Sequence, residues 1–274
     1  ARDDEFRARL LQSYARQARH LHRVAGRTAP GLPRLAALRG LVIAWVALGH
    51  AGRRRRALAM FMRAIGEQIL PDGGHVERSG RAQSIAMRYL IEARDALRVA
   101  DLDVPDELQS AIDRAAPILR FFRHGDNRLA LFNGTNEDDA ARIEQLLTRA
   151  DAKGRAPSSA PYLGFQRLHA GRTLVIMDAG APPAPGLDRD AHAGTLSFEM
   201  SHGKERLIVN CGAYHGPSAE WRATTRATAA HSTLVVADHN SAQIWPEGGL
   251  GRRPNEVICE RAEDQGSQWV EASH

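Results

Sequence analysis

The sequence predicts a multidomain protein in which an α domain precedes a β domain, and three features of the chain predict it. From Phe6 to Ala150, apolar residues recur at the three- and four-residue spacing of amphipathic helices. From Tyr162 onward they alternate with polar residues or form short β-rich runs. A segment rich in Gly, Pro and Ser separates the two patterns. We therefore predict a helical domain over residues 1–152, a linker over 153–161 and an antiparallel β domain over 162–274.

Six helices are predicted in the first domain. Proline and glycine mark where several of them stop, as at Pro30, Pro33 and the segment Pro71–Gly74. The second helix is apolar on most sides and is therefore expected to be buried. Short connections favour antiparallel packing in a bundle or an incomplete toroid. The predicted helices are Phe6–Val24, Leu35–Leu48, Ala57–Leu70, Ala82–Val99, Pro105–Phe122 and Ile143–Ala150.

Four segments of the second domain have the composition of β-strands. Turn signals separate them at Gly180–Pro183, His202–Lys204 and Gly248–Gly251. No helical segment alternates with them, so antiparallel pairing is expected rather than a parallel sheet. The predicted strands are Arg172–Met177, Thr195–Met200, Arg206–Asn210 and Ser232–Val236.

Composition indicates a globular protein and limits the functional classes. Apolar residues make up 43% of the chain and charged residues 25%, which argues against disorder. The net charge of +5 is compatible with a polyanionic partner, but Arg supplies 35 of the 37 basic residues, a skew typical of GC-rich bacterial genomes. The basic run Arg53–Arg56 is the solvated start of a helix or an inter-helix turn, and the alternative is a polyanion contact. It lacks interleaved aromatic residues, so we predict no nucleic-acid partner.

The cysteines, the longest apolar run and the chain ends set further expectations. Cys211 and Cys259 lie in apparent strands and are expected to be buried free thiols. The run Leu41–Leu48 is too short to span a bilayer. The chain begins at Ala1 without Met or a signal sequence and ends at His274 inside an apparent strand, so we expect an internal fragment with a truncated β domain.

The segment Asp72–Ser79 is the first candidate site. His75 and Glu77 lie two residues apart after a Gly-Gly turn, where they could act as a proton-transfer pair. The alternative is structural: Ser79 caps the following helix and Glu77 is solvated.

A second candidate site lies at the start of the predicted strands. Asp190 and His192 precede one strand, His231 precedes another, and Asn210 lies between them in the sequence. Two imidazoles and a third polar group can form a compact zinc site. A single histidine at such a position is more often a structural or exposed residue than a metal ligand.

Four motifs together resemble those of the heparinase II/III-like family. Asp190–Met200, Ile208–Tyr214 and Ala229–Val236 are similar to successive strand motifs of its β domain, and Asp72–Ser79 is similar to a helical-domain motif. The resemblance implies an α-toroid followed by an antiparallel β-sandwich. It further implies a bacterial lyase that acts on acidic polysaccharides such as glycosaminoglycans, with a structural zinc ion in some members. The resemblance further implies a periplasmic location.

The resemblance also assigns roles, and several positions depart from the family pattern. His192 and His231 match metal-ligating positions, and Asn210 stands where the family has an Asp ligand. Asp190 stands where some lyases have a catalytic His. The dipeptide Ala82-Gln83 stands where the family has Tyr-His, and Arg39–Leu41 stands near the position of a missing Asn-His motif.

The predicted function is β-elimination on a uronate-containing glycan. That reaction needs a base, an acid for the leaving oxygen and a cation beside the carboxylate. We expect these groups to flank one sugar, so that the His75 loop faces the segment bearing Asp190 and His192. A non-lytic carbohydrate-binding relative and a protein that binds nucleic acid or a membrane surface remain as alternatives. The catalytic candidates are His75, Glu77, Asp190 and Tyr214, and the substrate-binding candidates are Asn133, Trp221, Arg222 and Arg226.

Overall fold

A computed structural model describes residues 2–274, so Ala1 lies outside the described residues. All six predicted helices are present, with ends shifted by a few residues, and the predicted order of helices followed by antiparallel strands is confirmed. A seventh helix, which the sequence did not predict, lies among the strands. The helices are α1 (Arg2–Val24), α2 (Leu32–Ala47), α3 (Ala51–Gln68), α4 (Gly80–Val99), α5 (Asp106–Phe121), α6 (Ala140–Ala150) and α7 (Ala219–Arg226).

The chain divides into two compact units whose boundaries differ from the predicted domain boundary. Unit 1 comprises Ala1–Gln68 and Arg88–Ile112, and unit 2 comprises Ile69–Met87 and Asp113–His274. The predicted linker, residues 153–161, lies within unit 2 and contains a short strand. The change from helices to strands therefore does not coincide with the boundary between the two compact units.

Unit 1 is held together by apolar side chains of its helices. Helix α2 is apolar nearly all round, and its Leu35, Leu41 and Trp45 are buried. On α3, Phe61 is fully buried, whereas Arg53–Arg56 occupy the first turns of the helix. None of the described helices is both long enough and apolar enough to cross a bilayer.

Unit 2 contains a five-stranded antiparallel sheet whose strands follow one another in sequence order. The third strand alternates as expected, with Leu174, Ile176 and Asp178 on its buried face. Two further strands form a separate hairpin. The sheet strands are β1 (Ser159–Ala160), β2 (Phe165–Ala170), β3 (Thr173–Asp178), β4 (Phe198–His202) and β5 (Glu205–Ile208), and the hairpin strands are β6 (Ile258–Asp264) and β7 (Ser267–Ser273).

Aromatic rings and a buried ion pair form the core of unit 2. The ring of Phe165 makes edge contacts with Phe122 and Phe132, at centroid distances of 5.0 and 5.2 Å. The guanidinium of Arg78 lies over the Phe165 ring and pairs with the buried carboxylate of Asp178 at 2.5 Å. These contacts explain why residues 113–150, although largely helical, pack with the strands.

One predicted strand is wrong, one begins later than predicted, and neither cysteine is fully buried, since Cys259 on β6 is half-buried. The segment Ser232–Val236 is irregular: Ala237 and Asp238 have φ of 48° and 57°, so the chain reverses there instead of extending. Strand β4 begins at Phe198 and not at Thr195, because Leu196 has a left-handed φ of 63° and the N–H of Ser197 donates to the carbonyl oxygen of Gly194, so the chain turns there. Cys211 is exposed, since the chain leaves the sheet after β5.

Candidate functional site

A polar cavity of about 150 Å³ lies within unit 2, where five segments meet. They are the loop at Gly134, the loop before β4, the segment after β5, helix α7 and a turn at Glu247–Gly248. Carboxylate, guanidinium, imidazole and phenol groups share its wall. Of the predicted site residues, the structure brings together Asp190, His192, Tyr214, Arg222 and Arg226.

Helix α7 places the two arginines on the cavity wall. The helix begins because Ser218 caps it, its Oγ accepting a hydrogen bond from the N–H of Trp221 at 3.2 Å. Arg222 and Arg226 lie four residues apart and therefore share one face of the helix. Arg222 is exposed and forms no ion pair within residues 2–274. Trp221 is 60% exposed beside the cavity and is not part of its wall.

Arg226 is a buried cation that ties three segments together. Its guanidinium donates hydrogen bonds to the carbonyl oxygens of Ala191, Trp245 and Gly249, at 2.8, 3.0 and 2.7 Å. Burial lowers its pKa, and the charge of Asp190 acts in the opposite direction. Arg226 therefore shapes the wall while adding positive charge to it.

His192 and His231 form a buried pair behind the cavity. His192 Nδ1 lies 3.0 Å from His231 Nε2, and His231 Nδ1 donates to the carbonyl oxygen of Ala227 at 2.7 Å. Burial lowers the pKa of both histidines, and for His192 the charge of Arg226 adds to the effect. Both rings are therefore neutral near neutral pH. Only His192 belongs to the cavity wall.

Asn133 connects the cavity wall to the helical part of unit 2. Its Nδ2 donates to the carbonyl oxygen of Arg78 at 2.6 Å, and its Oδ1 accepts from the N–H of His192 at 3.1 Å. It has a left-handed φ of 49°, which Asn tolerates better than most residues. Asn133 lies behind the wall, so its role as a substrate-binding residue stays a prediction.

His75 and Glu77 do not belong to the cavity wall. His75 is fully buried; its N–H donates to Gln83 Oε1 at 2.7 Å, and its Nδ1 accepts from the N–H of Glu77 at 3.3 Å. Burial lowers the pKa of His75 to about 3, so it is neutral over most of the pH range. Ser79 Oγ accepts from the N–H of Ala82 at 3.4 Å, as the capping alternative expects. Their catalytic roles stay predictions.

The predicted zinc donors do not have the arrangement that zinc requires. Asn210 Oδ1 already accepts from the N–H of Ser232 at 2.9 Å, and its Nδ2 is buried without a partner. Across residues 2–274, no group of three His, Cys, Asp or Glu side chains could hold a metal ion. Since tetrahedral zinc needs three or four such donors, His192, Asn210 and His231 do not fit the ion.

Sequence reasoning missed several groups of the site. His215 lies on the wall, and its Nε2 donates to the carbonyl oxygen of Gly134 at 3.3 Å. Arg189 and Glu247 also lie on it. The predicted turn at residues 248–251 was a signal for the last of these, because a turn beside a sheet end is a common place for site residues. Nothing in the sequence placed that turn near Asp190.

Comparison with known proteins relates residues 152–274 to a family. Residues 152–274 match the family model described as "Heparinase II/III-like, C-terminal". The structure superposes on a crystal structure of heparinase III with a TM-score of 0.72 and 16% identity, covering 98% of this chain and 48% of that one. A heparan sulfate lyase from Pedobacter heparinus gives a TM-score of 0.64 and 19% identity, covering 98% and 47%.

A curated relative is more similar in sequence. The chain is 32% identical over 282 residues to "FtsZ-localized protein C" of Caulobacter vibrioides, which covers 97% of this chain and 47% of the relative. The chain thus spans about half the length of the proteins that it matches.

Proposed function

Residues 152–274 belong to the heparinase II/III-like family, and from that premise we propose that the cavity of unit 2 binds an acidic sugar unit of a uronate-containing glycan without cleaving it. One observation carries the proposal: Arg222, a guanidinium without an ion-pair partner in the described part of the chain, lies on a small polar wall beside a second guanidinium. A planar guanidinium binds a carboxylate through two parallel hydrogen bonds.

Binding without cleavage is favoured by the groups that replace the family's Tyr-His dipeptide. Ala82 has no titratable group. The Nε2 of Gln83 donates to the carbonyl oxygens of Gly73 and Ala115, at 2.9 and 3.0 Å, and its Oε1 accepts from His75. The amide therefore supports the local fold and has no proton to exchange. His75 is sealed in the core of unit 2.

Calorimetric titration tests the binding proposal. We expect oligosaccharides of heparan sulfate or alginate to bind and neutral cello-oligosaccharides not to bind. Arg222→Gln should lower the affinity at least about tenfold, since a hydrogen bond to a charged group contributes about 1.5–3 kcal/mol. Arg155, which is exposed and is not part of the cavity wall, supplies the control Arg155→Gln. Equal affinities of the two variants would contradict the proposal.

Lyase activity is the competing outcome for the same cavity. Tyr214 and His215 are adjacent on its wall and are among the groups that could exchange a proton with a sugar there. Elimination creates a carbon–carbon double bond that absorbs ultraviolet light. We expect no increase of absorbance with uronate polymers. If absorbance does increase, and the increase is lost in Tyr214→Phe, the cavity is catalytic and the proposal of binding without cleavage is wrong.

A second candidate function is association with the bacterial division protein FtsZ. The similarity at 32% identity over nearly the whole chain favours it, because the likeness to the solved lyases is only 16–19% in sequence. Co-sedimentation with purified FtsZ polymers tests this candidate. Recovery of the protein in the supernatant, with and without polymers, would exclude direct association.

A further inference from the structure

The hydrogen bonds of the His192–His231 pair determine where its protons lie. A carbonyl oxygen can only accept, so His231 Nδ1, at 2.7 Å from the oxygen of Ala227, carries the hydrogen. His231 is neutral, and its Nε2 is therefore an acceptor. His192 Nδ1, at 3.0 Å, must donate to it. This network assigns an unprotonated Nε2 to His192.

The unprotonated nitrogen of His192 is available to a ligand. His192 lies on the cavity wall while His231 does not, and Nδ1 is directed at His231. Nε2 makes no hydrogen bond within residues 2–274, and it is not among the polar atoms that are sealed without a partner. The nitrogen is therefore an accessible acceptor on an otherwise buried ring.

We propose that the pair is a metal-free relay that holds His192 Nε2 as a fixed hydrogen-bond acceptor for a free hydroxyl group of the bound sugar. The identity of the ligand rests on the proposed function, whereas the proton order of the relay does not. A fixed acceptor favours a hydroxyl and disfavours a sulfate ester at the same sugar position, because two acceptors repel. Two positions that bind a metal in some family members would thus select a hydroxyl over a sulfate ester in this protein.

Close packing supports a fixed geometry for the relay. Gly194 lies against the His231 ring, where an added Cβ would come within 2.8 Å of the Cδ2 atom. The two rings stand nearly perpendicular, at 79° with their centroids 5.1 Å apart. Glycine at this position allows the close approach, and the packed neighbours keep the rings from rotating.

Nitrogen NMR of the full chain tests the relay without any sugar. We expect His192 to be protonated at Nδ1 and not at Nε2. In a separate titration, Zn²⁺ alone should not bind at one equivalent. A hydrogen on Nε2, or stoichiometric zinc binding that is lost in His192→Ala, would overturn the proposal.

Two variants of His231 test what the relay does for binding. In His231→Gln, the amide oxygen can still accept from His192 Nδ1, whereas His231→Leu removes the acceptor. With heparan sulfate oligosaccharides as the probe, the Leu variant should bind about tenfold more weakly and the Gln variant within about threefold of the wild type. Thermal unfolding verifies that both variants are folded. Equal losses would contradict the relay. Absence of wild-type binding would instead refute the proposed function and leave the NMR result to decide on the relay.

Discussion

The loop around His75 and the loop around His192 look alike in sequence, since each combines a histidine with a carboxylate two residues away. In the structure, both histidines are buried and neutral. His75 bonds to Gln83 and Glu77 of its own neighbourhood, whereas His192 bonds to His231, 39 residues away, and reaches a cavity. A lowered pKa is therefore common to both histidines, and what distinguishes His192 is its place on a cavity wall.

The largest expected effect concerns the structural role of the His75 loop. Arg78 follows His75 by three residues and holds the buried carboxylate of Asp178. Arg78→Met leaves that carboxylate buried and unpaired, so the free energy of unfolding should fall by about 3–5 kcal/mol. Chemical denaturation measures it, with the exposed Arg155→Met as control. If folded molecules of Arg78→Met also bind glycan more than about threefold more weakly, the His75 loop contributes to binding. The distinction between a structural His75 loop and a binding His192 loop would then be wrong.

The pH dependence of stability tests the burial of the His75 ring, a property that His75 shares with His192. Burial lowers the pKa of folded His75 to about 3, below its value in the unfolded chain. Between pH of about 6.5 and about 3, unfolded molecules therefore bind a proton that the folded state does not. Over this range the free energy of unfolding falls as the pH decreases, by up to about 1.4 kcal/mol per pH unit. His75→Leu should remove this contribution. Denaturation curves at several pH values measure it, and an unchanged slope in the variant would show that His75 is protonated in the fold.

The smallest expected effect concerns the surface beside the cavity. Trp221 is 60% exposed on the helix that carries Arg222, so Trp221→Ala should leave stability unchanged and weaken binding of uronate oligosaccharides about threefold through loss of stacking. Trp269, 50% exposed on β7, supplies the matched control Trp269→Ala. Equal affinities of the two variants would restrict the site to the cavity itself.

The helices and the change to strands could be predicted because they depend on local apolar periodicity. The segment Ser232–Val236 could not: its composition is that of a strand, but Asn210 Oδ1 takes its first N–H, and residues 237 and 238 turn the chain. A distant side chain overrode the local preference there. Helix α7 was missed because eight residues with a polar majority give a weak periodic signal.

The candidate site could be predicted only in part. The motif segments contain Asp190, His192 and Tyr214, and the need for a cation beside a carboxylate named Arg222 and Arg226; all five share one cavity wall. The motif segments also contain His75 and Glu77, which are not on that wall. The position of His75 depends on Gln83, which bonds to residues 8 and 32 positions away in the sequence. Spacing along the chain contains no information about which of two histidines faces a cavity.

The most direct measurement follows the ring nitrogens of all the histidines while heparan sulfate oligosaccharides are added to the full chain. The account predicts that the signal of His192 Nε2 moves as this nitrogen accepts a hydroxyl hydrogen, while the signals of His75 stay unchanged. A shift at His75 with none at His192, or no shift at either, would contradict it.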